Sequence, residues 1–435
     1  MSGLKQCQEL DEFAPIEVAR ALRRERGLVF FDTSSDTPER GAVSLIAIEP
    51  DRVLKGDFFP DCEALQWAWR AGEARVGAGV DDGVPRGMMA GGVGYDGMFE
   101  VGVYPSLLAY RHDDGSWWSY GATAEWVARV VGEDARGDSG MGEPSRMSFR
   151  PCVGAAQFMG MVRAAQEYIA AGDIYQVNLS HPFECVDVKA DPWWVYEQLR
   201  SVSPSGYSAF MHHRGSAVLS SSPELFLRVS GRNIETRPIK GTRPRFGDPD
   251  ADARSAYELM SSEKERSELV MITDLERNDL GQVCEWGTVT VPEMLRLERY
   301  QQVFHLVSTV RGTLRQGVDP VAAFGACFPG GSITGAPKKR AREIIAELEP
   351  FQRGIYTGAL GWWGFGGESQ FNIAIRTMVA GVDGRWSFHV GAGIVADSVP
   401  EREWEETLHK AAGMLAAGSH RNRAGRVSTE SPKTG

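Results

Sequence analysis

The sequence has few features of three kinds: paired cysteines, positive charge and long apolar runs. Six cysteines are scattered through 435 residues without a C-x-x-C pair, which argues against a structural zinc site and leads us to expect free thiols. The net charge is −11, so the chain lacks the basic surface with which proteins bind nucleic acid.

The absence of long apolar runs bears on location. No stretch approaches the length that spans a bilayer. The opening "MSGLKQCQELDEF" also lacks the apolar core of a signal peptide. We therefore expect a soluble, cytoplasmic protein that is not bound to a membrane.

Composition divides the chain near residue 150. A stretch rich in Gly, Ser and acids that ends at Ser148 predicts a linker. We expect an N-terminal part at 1–150 that is variable and intertwined with the core, a main domain at 151–418 and a disordered tail at 419–435. The hydrophobic content of 42% is enough for a sizeable core.

Helix and strand patterns follow each other irregularly. Helical patterns cover roughly 62–76, 155–171, 253–275, 337–348 and 400–417. Strand patterns follow one another with only turns between them, including "AVLSSSPELFLRV", "YQQVFHLVSTVRG", "QFNIAIRTMVA" and "RWSFHVGAGIV". This succession is typical of antiparallel sheets, so we predict an α+β fold of large, mostly antiparallel sheets packed with helices.

Two glycine-rich stretches imitate nucleotide-binding motifs. "GVGYDG" matches G-x-G-x-x-G, but Gly102 and Pro105 follow where a helix is needed. "GGSITGAPKKR" lacks the Lys-Ser/Thr of a P-loop. Its Thr334 and Gly335, with the helix that starts at Pro337, could offer N–H groups to an anion. An ordinary loop-to-helix junction fits this stretch equally well.

The segment "SSEKERSELVMITDLERNDLG" places carboxylates on a face that should be buried. At 100° per residue, one helical stripe carries Glu265, Glu268, Ile272 and Leu275. Buried carboxylates need a cation or hydrogen-bond donors, and a hard metal ion with oxygen ligands meets that need. A solvated face rich in Glu, Lys and Arg is the alternative.

A second glutamate pair lies in "VPEREWEETLHKAAGML". Here Glu403 and Glu406 fall opposite an apolar stripe that includes Trp404 and Leu408. This pattern predicts a solvated face, with Lys410 as the partner of Glu406 four residues earlier. The pair acquires a role only if that face turns toward a polar cavity.

Three polar side chains belong to strand-like stretches. Lys240 lies in "RPIKGTRPR", where a turn with a solvated lysine is the simplest interpretation. Arg376 shares a predicted strand face with Asn372, either as an exposed edge residue or as a fork for a carboxylate. His305 shares a face with Val307 and is most simply a core histidine.

Nine stretches, in chain order, together resemble the chorismate-utilising enzymes. This family includes the anthranilate synthase large subunit, aminodeoxychorismate synthase component I, and isochorismate and salicylate synthases. The stretches are "GDIYQVNLS", "SSPELFL", "RPIKGTRPR", "SEKERSE" with "DLERND", "FHLVSTVRG", "GSITGAPKKRA", "RGIYTGALGW", "IAIRT" and "GAGIVADSVPEREWEET". The resemblance covers about residues 155–417, while the first 150 residues resemble the family only loosely.

The resemblance implies an amination chemistry. Lysine in P-I-K-G-T is similar to aminodeoxychorismate synthase component I, where anthranilate synthases carry alanine. It implies that Lys240 attacks C2 of chorismate, that Glu224 is the acid/base for the C4 hydroxyl and that His305 assists nearby. A lysine must lose its proton to act as a nucleophile, and a buried site favours that loss.

The family pattern also implies a binding set. Glu268 and Glu406 match Mg²⁺ ligands, with Glu265 and Glu403 as nearby or water-mediated partners. Gln176 matches the glutamine of ammonia-using members, where water-using members carry a lysine. The positions that match substrate-binding ones are Gly241, Thr242, Thr334, Tyr356, Arg376, Gly391, Ala392 and Gly393.

The expected function follows from this resemblance. The chain should convert chorismate and ammonia to 4-amino-4-deoxychorismate for p-aminobenzoate and folate synthesis, with ammonia from a separate glutamine amidotransferase subunit. Two alternatives stay open. One is an anthranilate synthase large subunit, and the other is a catalytically silent regulatory homologue.

Overall fold

The structure, a computed structural model, describes residues 3–35, 42–76, 83–132, 147–186 and 188–418. Most of the predicted linker and the whole predicted tail lie outside the described residues. Within those ranges no helix is long and apolar enough to cross a membrane. All six cysteines are described and all are free, which confirms the expectation of free thiols.

The helices and strands have the following bounds. The helices are α1 (Pro15–Ala21), α2 (Phe58–Val76), α3 (Ala124–Val131), α4 (Ala155–Ala170), α5 (Pro192–Val202), α6 (Pro249–Ser261), α7 (Glu263–Gly281), α8 (Pro320–Cys327), α9 (Lys338–Leu348) and α10 (Pro400–Ala417). The strands are β1 (Lys5–Gln6), β2 (Val29–Asp32), β3 (Val43–Ala47), β4 (Arg52–Asp57), β5 (Met88–Val93), β6 (Met98–Tyr104), β7 (Leu107–Arg111), β8 (Ser116–Tyr120), β9 (Arg150–Pro151), β10 (Gln176–Cys185), β11 (Tyr207–His213), β12 (Ser216–Ser222), β13 (Leu225–Ser230), β14 (Asn233–Arg237), β15 (Ile239–Pro244), β16 (Thr290–Arg299), β17 (Val303–Thr313), β18 (Gly335–Ala336), β19 (Ala359–Gly364), β20 (Glu368–Ile373), β21 (Thr377–Ala380) and β22 (Trp386–Ile394).

The strands form two large antiparallel sheets. The first has 12 strands in the order β1-β8-β7-β3-β2-β11-β12-β21-β22-β10-β18, with β9 beside β10. The second has 10 strands in the order β15-β17-β14-β13-β20-β19-β5-β6-β4, with β16 beside β17. This architecture confirms the predicted α+β fold.

Strands from both sides of residue 150 share both sheets. In the first sheet β2 pairs with β11, so that Phe30 faces Phe210. In the second sheet β5 pairs with β19, so that Gly91 faces Gly361. The two sheets therefore continue across the proposed boundary, and the division into domains stays a prediction.

A shared apolar core lies where the sheets face each other. Val29 and Ala209 of the first sheet belong to the same buried cluster as Met88, Leu360 and Trp362 of the second. Each sheet thus buries apolar side chains against the other. This burial is the main stabilising contribution available to such a layered fold.

Two predicted strands are each broken between the sheets. "AVLSSSPELFLRV" is not one strand: β12 belongs to the first sheet and β13 to the second. "QFNIAIRTMVA" is likewise β20 of the second sheet and β21 of the first. Arg376 lies in the connection with a φ of 49°, so the predicted strand face shared with Asn372 is wrong.

The helix predicted at 253–275 is also two helices. Ser262 separates α6 from α7, and its hydroxyl accepts the N–H of Glu265 at 3.4 Å. A serine cap satisfies one of the unpaired N–H groups at a helix start, which allows the chain to begin a new helix without a long loop.

Candidate active site

One catalytic candidate and one substrate-binding candidate lie where the chain changes sheets. Glu224 lies in the connection between β12 and β13, and Arg376 in the connection between β20 and β21. The two connections are adjacent, because the N–H of Ile373 donates to the carbonyl of Glu224 at 3.1 Å. Two crossings therefore place an acidic and a basic side chain at one end of the sheets.

Lys240 projects from β15 beside a β-bulge at Gly241. The register with β17 shifts between Lys240 and Thr242, and Gly241 has a φ of 74°. A Cβ at Gly241 would lie 3.1 Å from Oε2 of Glu265. Glycine is needed at this bend for both reasons. Lys240 beside it is half-buried, so it differs from the fully solvated lysine that a simple turn would predict.

The amine of Lys240 rests on the loop before α9. Its Nζ donates to the carbonyl oxygen of Ser332 at 3.2 Å. Its charge also lowers the pKa values of Glu224 and Glu268, against the opposing effect of their burial, and the pKa of the exposed Glu406. The structure thus brings the predicted nucleophile, the predicted acid and two predicted metal ligands around one space.

Glu224 has the environment of a proton donor. Its side chain is buried, and burial raises its pKa above the usual range. A hydrogen bond from the side chain of Ser332 and the charge of Lys240 oppose this rise without cancelling it. A carboxyl group that holds its proton at higher pH can donate it to a leaving hydroxyl.

His305 is a core histidine that also lies at the site. It is 3% exposed, and its Nδ1 lies 3.0 Å from the hydroxyl of Thr242. Burial, followed by the nearby Arg376, lowers its pKa to about 3. The imidazole is therefore neutral at pH 7, so it can orient a hydroxyl group but does not add positive charge.

Arg376 has the position of an anion-binding group. Its Nη1 lies 3.4 Å from the hydroxyl of Ser203, and among the described residues no carboxylate contributes to the shift of its pKa. Burial lowers its pKa below the usual value. Arg376 is half-buried by its exposed surface. A guanidinium in such a place without a counter-charge favours binding of a carboxylate, for which its two parallel donors are suited.

The glycines of β22 bring the backbone close to other predicted residues. A Cβ at Gly393 would lie 2.5 Å from Nε2 of Gln176, and one at Gly391 would lie 2.9 Å from the hydroxyl of Tyr356. Between them, Ala392 is fully buried and faces Leu179 of β10. These contacts place the two glycines beside the other substrate-binding candidates.

Gln176 and Tyr356 are the substrate-binding candidates that lie beside these two glycines. The amide of Gln176 donates to Glu268 at 3.3 Å, while its Oε1 is buried and has no partner among the described residues. Tyr356 stacks on His389 with ring centroids 5.2 Å apart, and burial raises its pKa. An unpaired buried amide oxygen is costly, so it favours a ligand that donates a hydrogen bond to it.

Thr334 is placed differently from the other candidates. It is fully buried, and its hydroxyl donates to the carbonyl of Gly330 at 3.0 Å. Its own carbonyl accepts the N–H of Asn178 at 2.8 Å. Its side chain thus stabilises the loop that supports Lys240, and a direct substrate contact stays a prediction.

The four candidate metal ligands surround another lysine. Burial alone would lower the pKa of Lys264, but the carboxylates of Glu403, Glu268, Glu406 and Glu265 raise it above the usual value. The Nζ atom lies 3.7 Å from Oε1 of Glu403. Helices α7 and α10 therefore direct all four carboxylates toward one region.

The donor set suits a hard cation. Oε1 of Glu268 and Oε2 of Glu403 are buried oxygens that lack a hydrogen-bond partner in the described part of the chain. Carboxylate oxygens are the ligands that Mg²⁺ prefers. Across the described ranges, however, no three His, Cys, Asp or Glu side chains are gathered closely enough to hold a metal ion. The chemistry fits Mg²⁺, and the side chains would need to move together to enclose it.

The predicted solvated face of α10 is wrong for one of its glutamates. Glu403 is 4% exposed and belongs to the buried face with Thr407 and Ala411, while Leu408 of the predicted apolar stripe is exposed. A polar contact accompanies this orientation, because the hydroxyl of Ser398 donates to Oε1 of Glu403 at 2.7 Å. The predicted pair of Glu406 with Lys410 is confirmed at 2.7 Å.

Sequence reasoning missed three residues near the site. Ser332 supplies the carbonyl under Lys240, and nothing in its local pattern indicated this role. Glu276 and Asp279 are buried acids on α7. A signal for them did exist, since they continue the stripe of Glu268 and Ile272 at helical spacing.

The structure thus brings the amine of Lys240 close to the buried carboxyl group of Glu224 and places Arg376 and four further carboxylates in the same part of the fold. The sequence pattern of the family described as chorismate binding enzyme matches residues 96–416. This match spans most of the chain, and the chain belongs to that family.

Curated relatives carry two names. The anthranilate synthase component 1 of Streptomyces coelicolor is 51% identical over 266 residues, which is 60% of this chain and 51% of that protein. The aminodeoxychorismate synthase component 1 of Bacillus subtilis is 46% identical over 260 residues, which is 60% of this chain and 55% of that protein. The chain thus matches about half the length of each of these relatives.

Solved structures are similar over nearly the whole chain. Anthranilate synthase component I from Streptococcus pneumoniae superposes with a TM-score of 0.74 at 28% identity, covering 87% of this chain and 93% of that one. The menaquinone-specific isochorismate synthase from Escherichia coli gives a TM-score of 0.78 at 18% identity, covering 96% and 95%. The latter similarity bears on the fold alone.

Proposed function

We propose that this chain aminates chorismate with ammonia to give 4-amino-4-deoxychorismate, the reaction of aminodeoxychorismate synthase component I. One observation carries the proposal: the amine of Lys240 lies inside the site, 3.2 Å from the Ser332 carbonyl and close to the buried acid Glu224. The Bacillus subtilis relative with that name supports the same activity.

The first step forms a bond between Lys240 and the substrate. After it has lost a proton, the amine of Lys240 attacks C2 of chorismate, and the bond from C4 to its hydroxyl oxygen breaks. Glu224 gives its proton to that oxygen, so the group leaves as water. The carboxylate of Glu224 then accepts the proton that the new secondary ammonium group loses.

The second step releases the lysine. Ammonia forms a bond to C4, and the bond from C2 to Nζ breaks. The proton returns from Glu224 to the leaving amine, and the new ammonium group at C4 supplies a proton back to Glu224. The two displacements together place nitrogen at C4, and the enzyme returns to its starting protonation state.

Several groups hold the substrate during both steps. Arg376 is the fork for one substrate carboxylate, supported by Tyr356 and by the backbone N–H groups of Gly241, Gly391 and Gly393. His305, in its neutral form, orients the C4 hydroxyl together with Thr242. Gln176 stands where water-using members of the family carry a lysine base. Because a glutamine amide cannot remove a proton from water, this position favours ammonia as the nucleophile.

Mg²⁺ is the proposed metal. Glu268 and Glu406 would hold it, with Glu265 and Glu403 as outer partners, and the buried oxygens of Glu268 and Glu403 that lack a hydrogen-bond partner among the described residues support this choice. When bound, the ion supplies positive charge that offsets the repulsion between the glutamates and an anionic substrate. The protein residues carry out the remaining chemistry.

The ammonia source is proposed to be a separate glutamine amidotransferase subunit. The designation of the relatives as component 1 supports an enzyme of more than one component. The product would serve p-aminobenzoate and folate synthesis. A cytoplasmic location stays a prediction.

The test is chromatography of the product that the purified chain forms from chorismate, Mg²⁺ and an ammonium salt. We expect 4-amino-4-deoxychorismate, its loss when Mg²⁺ is omitted, and a fall in rate of at least about 100-fold in Lys240→Ala, because the nucleophile is removed. Lys339→Ala, an exposed lysine on α9, is the matched control. Undiminished formation in Lys240→Ala would contradict the nucleophile assignment.

The alternative function is that of an anthranilate synthase large subunit. The 51% identity to the Streptomyces coelicolor relative favours it. The same chromatogram separates the two activities, because anthranilate would accumulate in place of the C4 amine. A silent homologue would form neither product and would show no Mg²⁺-dependent binding of chorismate in a calorimeter.

A further inference from the structure

The loop between α8 and α9 is the support on which Lys240 rests. A short helical turn, Gly331–Ile333, presents the Ser332 carbonyl to Nζ of Lys240 at 3.2 Å. The side chain of the same serine interacts with Glu224. The position of this one residue therefore affects both groups that the proposed reaction uses.

Glu276 of α7 holds the first residue of that turn. Its Oε1 accepts the N–H of Gly331 at 2.9 Å, one residue before Ser332. Glu276 is 2% exposed, and its Oε2 is buried without a partner among the described residues. A Cβ at Gly331 would lie 2.9 Å from the same Oε1 atom, so the two residues are in close contact.

Arg353 holds the other end of the turn. Its Nη1 donates to the carbonyl of Ile333 at 3.3 Å, and its charge is balanced by Glu349. The peptide that carries the Ser332 carbonyl is thus held between two buried side chains, one on α7 and one after α9. Neither Glu276 nor Arg353 is among the residues that the proposed function assigns to substrate contact.

The charged groups around Glu276 come from several elements. Asp279 lies one turn further along α7 and pairs with Lys338 of α9. Glu224, in the connection after β12, also acts on Glu276 through its charge. Burial, then the charge of Asp279, raises the pKa of Glu276 to about 8. Glu276 therefore holds its proton to a higher pH than an ordinary carboxyl group, which reduces the negative charge beside Glu224 while Oε1 accepts the Gly331 N–H.

We propose that Glu276 is a positioning residue that fixes Gly331 and thereby holds the Ser332 carbonyl against the amine of Lys240. The inference rests on the proposed function, because it assumes that Lys240 is the nucleophile. Removal of the carboxyl oxygen leaves a buried N–H without an acceptor, and the turn moves to recover a partner. A displacement of this support changes the approach of the amine without removing any group that contacts the substrate.

The first experiment compares Glu276→Leu, Glu276→Gln and the control Asp274→Asn, an exposed carboxylate of the same helix. We expect kcat to fall about 10- to 100-fold in Glu276→Leu with KM for chorismate changed less than about threefold, as misplacement of a reacting group predicts. Glu276→Gln retains an oxygen acceptor, so its kcat should stay within about threefold of wild type. Wild-type kcat in Glu276→Leu, or equal losses in the Leu and Gln variants, would overturn the proposal.

A second variant protects the test against a folding failure. Gly331→Ala places a methyl group against Oε1 of Glu276 and Cδ2 of Leu275, at 2.9 and 2.7 Å. It should push the turn away from α7 and lower kcat as Glu276→Leu does, with a smaller effect on expression. Unchanged kcat in Gly331→Ala would equally overturn the proposal.

A labelling experiment separates this inference from the proposed function. An amine-selective acylating reagent, followed by peptide mass spectrometry, reports the reactivity of Lys240 relative to the exposed Lys339. We expect that ratio to change at least about threefold in Glu276→Leu and Gly331→Ala and to be retained in Glu276→Gln, since only the first two move the support. If the wild type yields no aminated product, the proposed function fails. The reactivity of Lys240 relative to Lys339 still tests whether Glu276 positions the turn beneath Lys240. An unchanged ratio in both variants would overturn the inference.

Discussion

Three histidines, two of them buried and one half-buried, are neutral at pH 7. Burial lowers the pKa of His181 to about 4 and the pKa values of His305 and His389 to about 3. His181 is fully buried, stacked on Trp404 and 2.9 Å from the hydroxyl of Thr407. Each of these side chains binds a proton more readily in the unfolded chain than in the folded one.

This difference predicts acid sensitivity. An unfolded histidine titrates near 6.5, so the stability that neutral His181 contributes is complete above that pH and is lost as the pH falls toward 4. Between pH 7 and 5 we expect His181 alone to account for a loss of about 2 kcal/mol in the free energy of unfolding. Urea unfolding of wild type and His181→Gln at both pH values measures the loss.

The control is His409→Gln, which changes an exposed histidine of α10. It should keep the wild-type difference between pH 7 and pH 5, whereas His181→Gln should reduce it. Identical differences in all three proteins would show that the burial of His181 does not govern the acid response.

At the scale of elements, a buried ion pair joins β10 to the segment after α9. Arg353 donates to both oxygens of Glu349, at 2.8 and 2.7 Å, and to the carbonyl of Asn178. Glu349 in turn accepts the N–H and hydroxyl of Ser180, at 2.7 and 3.0 Å. Both charged side chains are 2% exposed, so each depends on the other for solvation.

Removal of one partner should therefore be costly. In Arg353→Met we expect the free energy of unfolding to fall by about 3–5 kcal/mol, because the carboxylate of Glu349 remains buried without its counter-charge. Chemical denaturation at pH 7 measures the change. Arg340→Met, which breaks a partly exposed pair with Glu343, should cost no more than about 1 kcal/mol. Equal effects of the two substitutions would contradict this account of the buried pair.

At the scale of the whole molecule, the N-terminal strands complete both sheets. Without them β11 would lose β2, and β19 would lose β5. The buried cluster shared by the sheets would also lose Val29, Leu45 and Met88. Exposed strand edges and apolar surface of this kind promote aggregation.

We therefore expect residues 151–418 expressed alone to aggregate or to lack cooperative unfolding. Full-length chain expressed in parallel is the control, and size-exclusion chromatography with thermal unfolding is the measurement. A soluble monomer of 151–418 with a sharp thermal transition would instead support an independent domain that begins near residue 150.

The sequence predicted some parts of this molecule well and others poorly. Alternation and helical spacing predicted the α+β class, α4 and α10 because those patterns depend on neighbours within a few residues. The same patterns joined β12 to β13 and β20 to β21, because the change of sheet at Glu224 and Arg376 depends on strands far away in the chain. The apolar stripe of α10 misled for Glu403 because the hydroxyl of Ser398, outside the helix, provides a hydrogen-bond partner for its buried carboxylate.

The residue types available for the site follow from the amino-acid sequence alone: a lysine before a glycine, a glutamate between two strands and glutamate pairs at helical spacing. Tertiary structure decided which of them meet. It placed Lys240 on Ser332, turned Glu403 inward and set Glu276 beneath Gly331. The physical reason is the distance along the chain over which each feature is determined. Periodicity depends on neighbours within one helix or strand, whereas a buried polar contact joins elements that only the complete fold brings together.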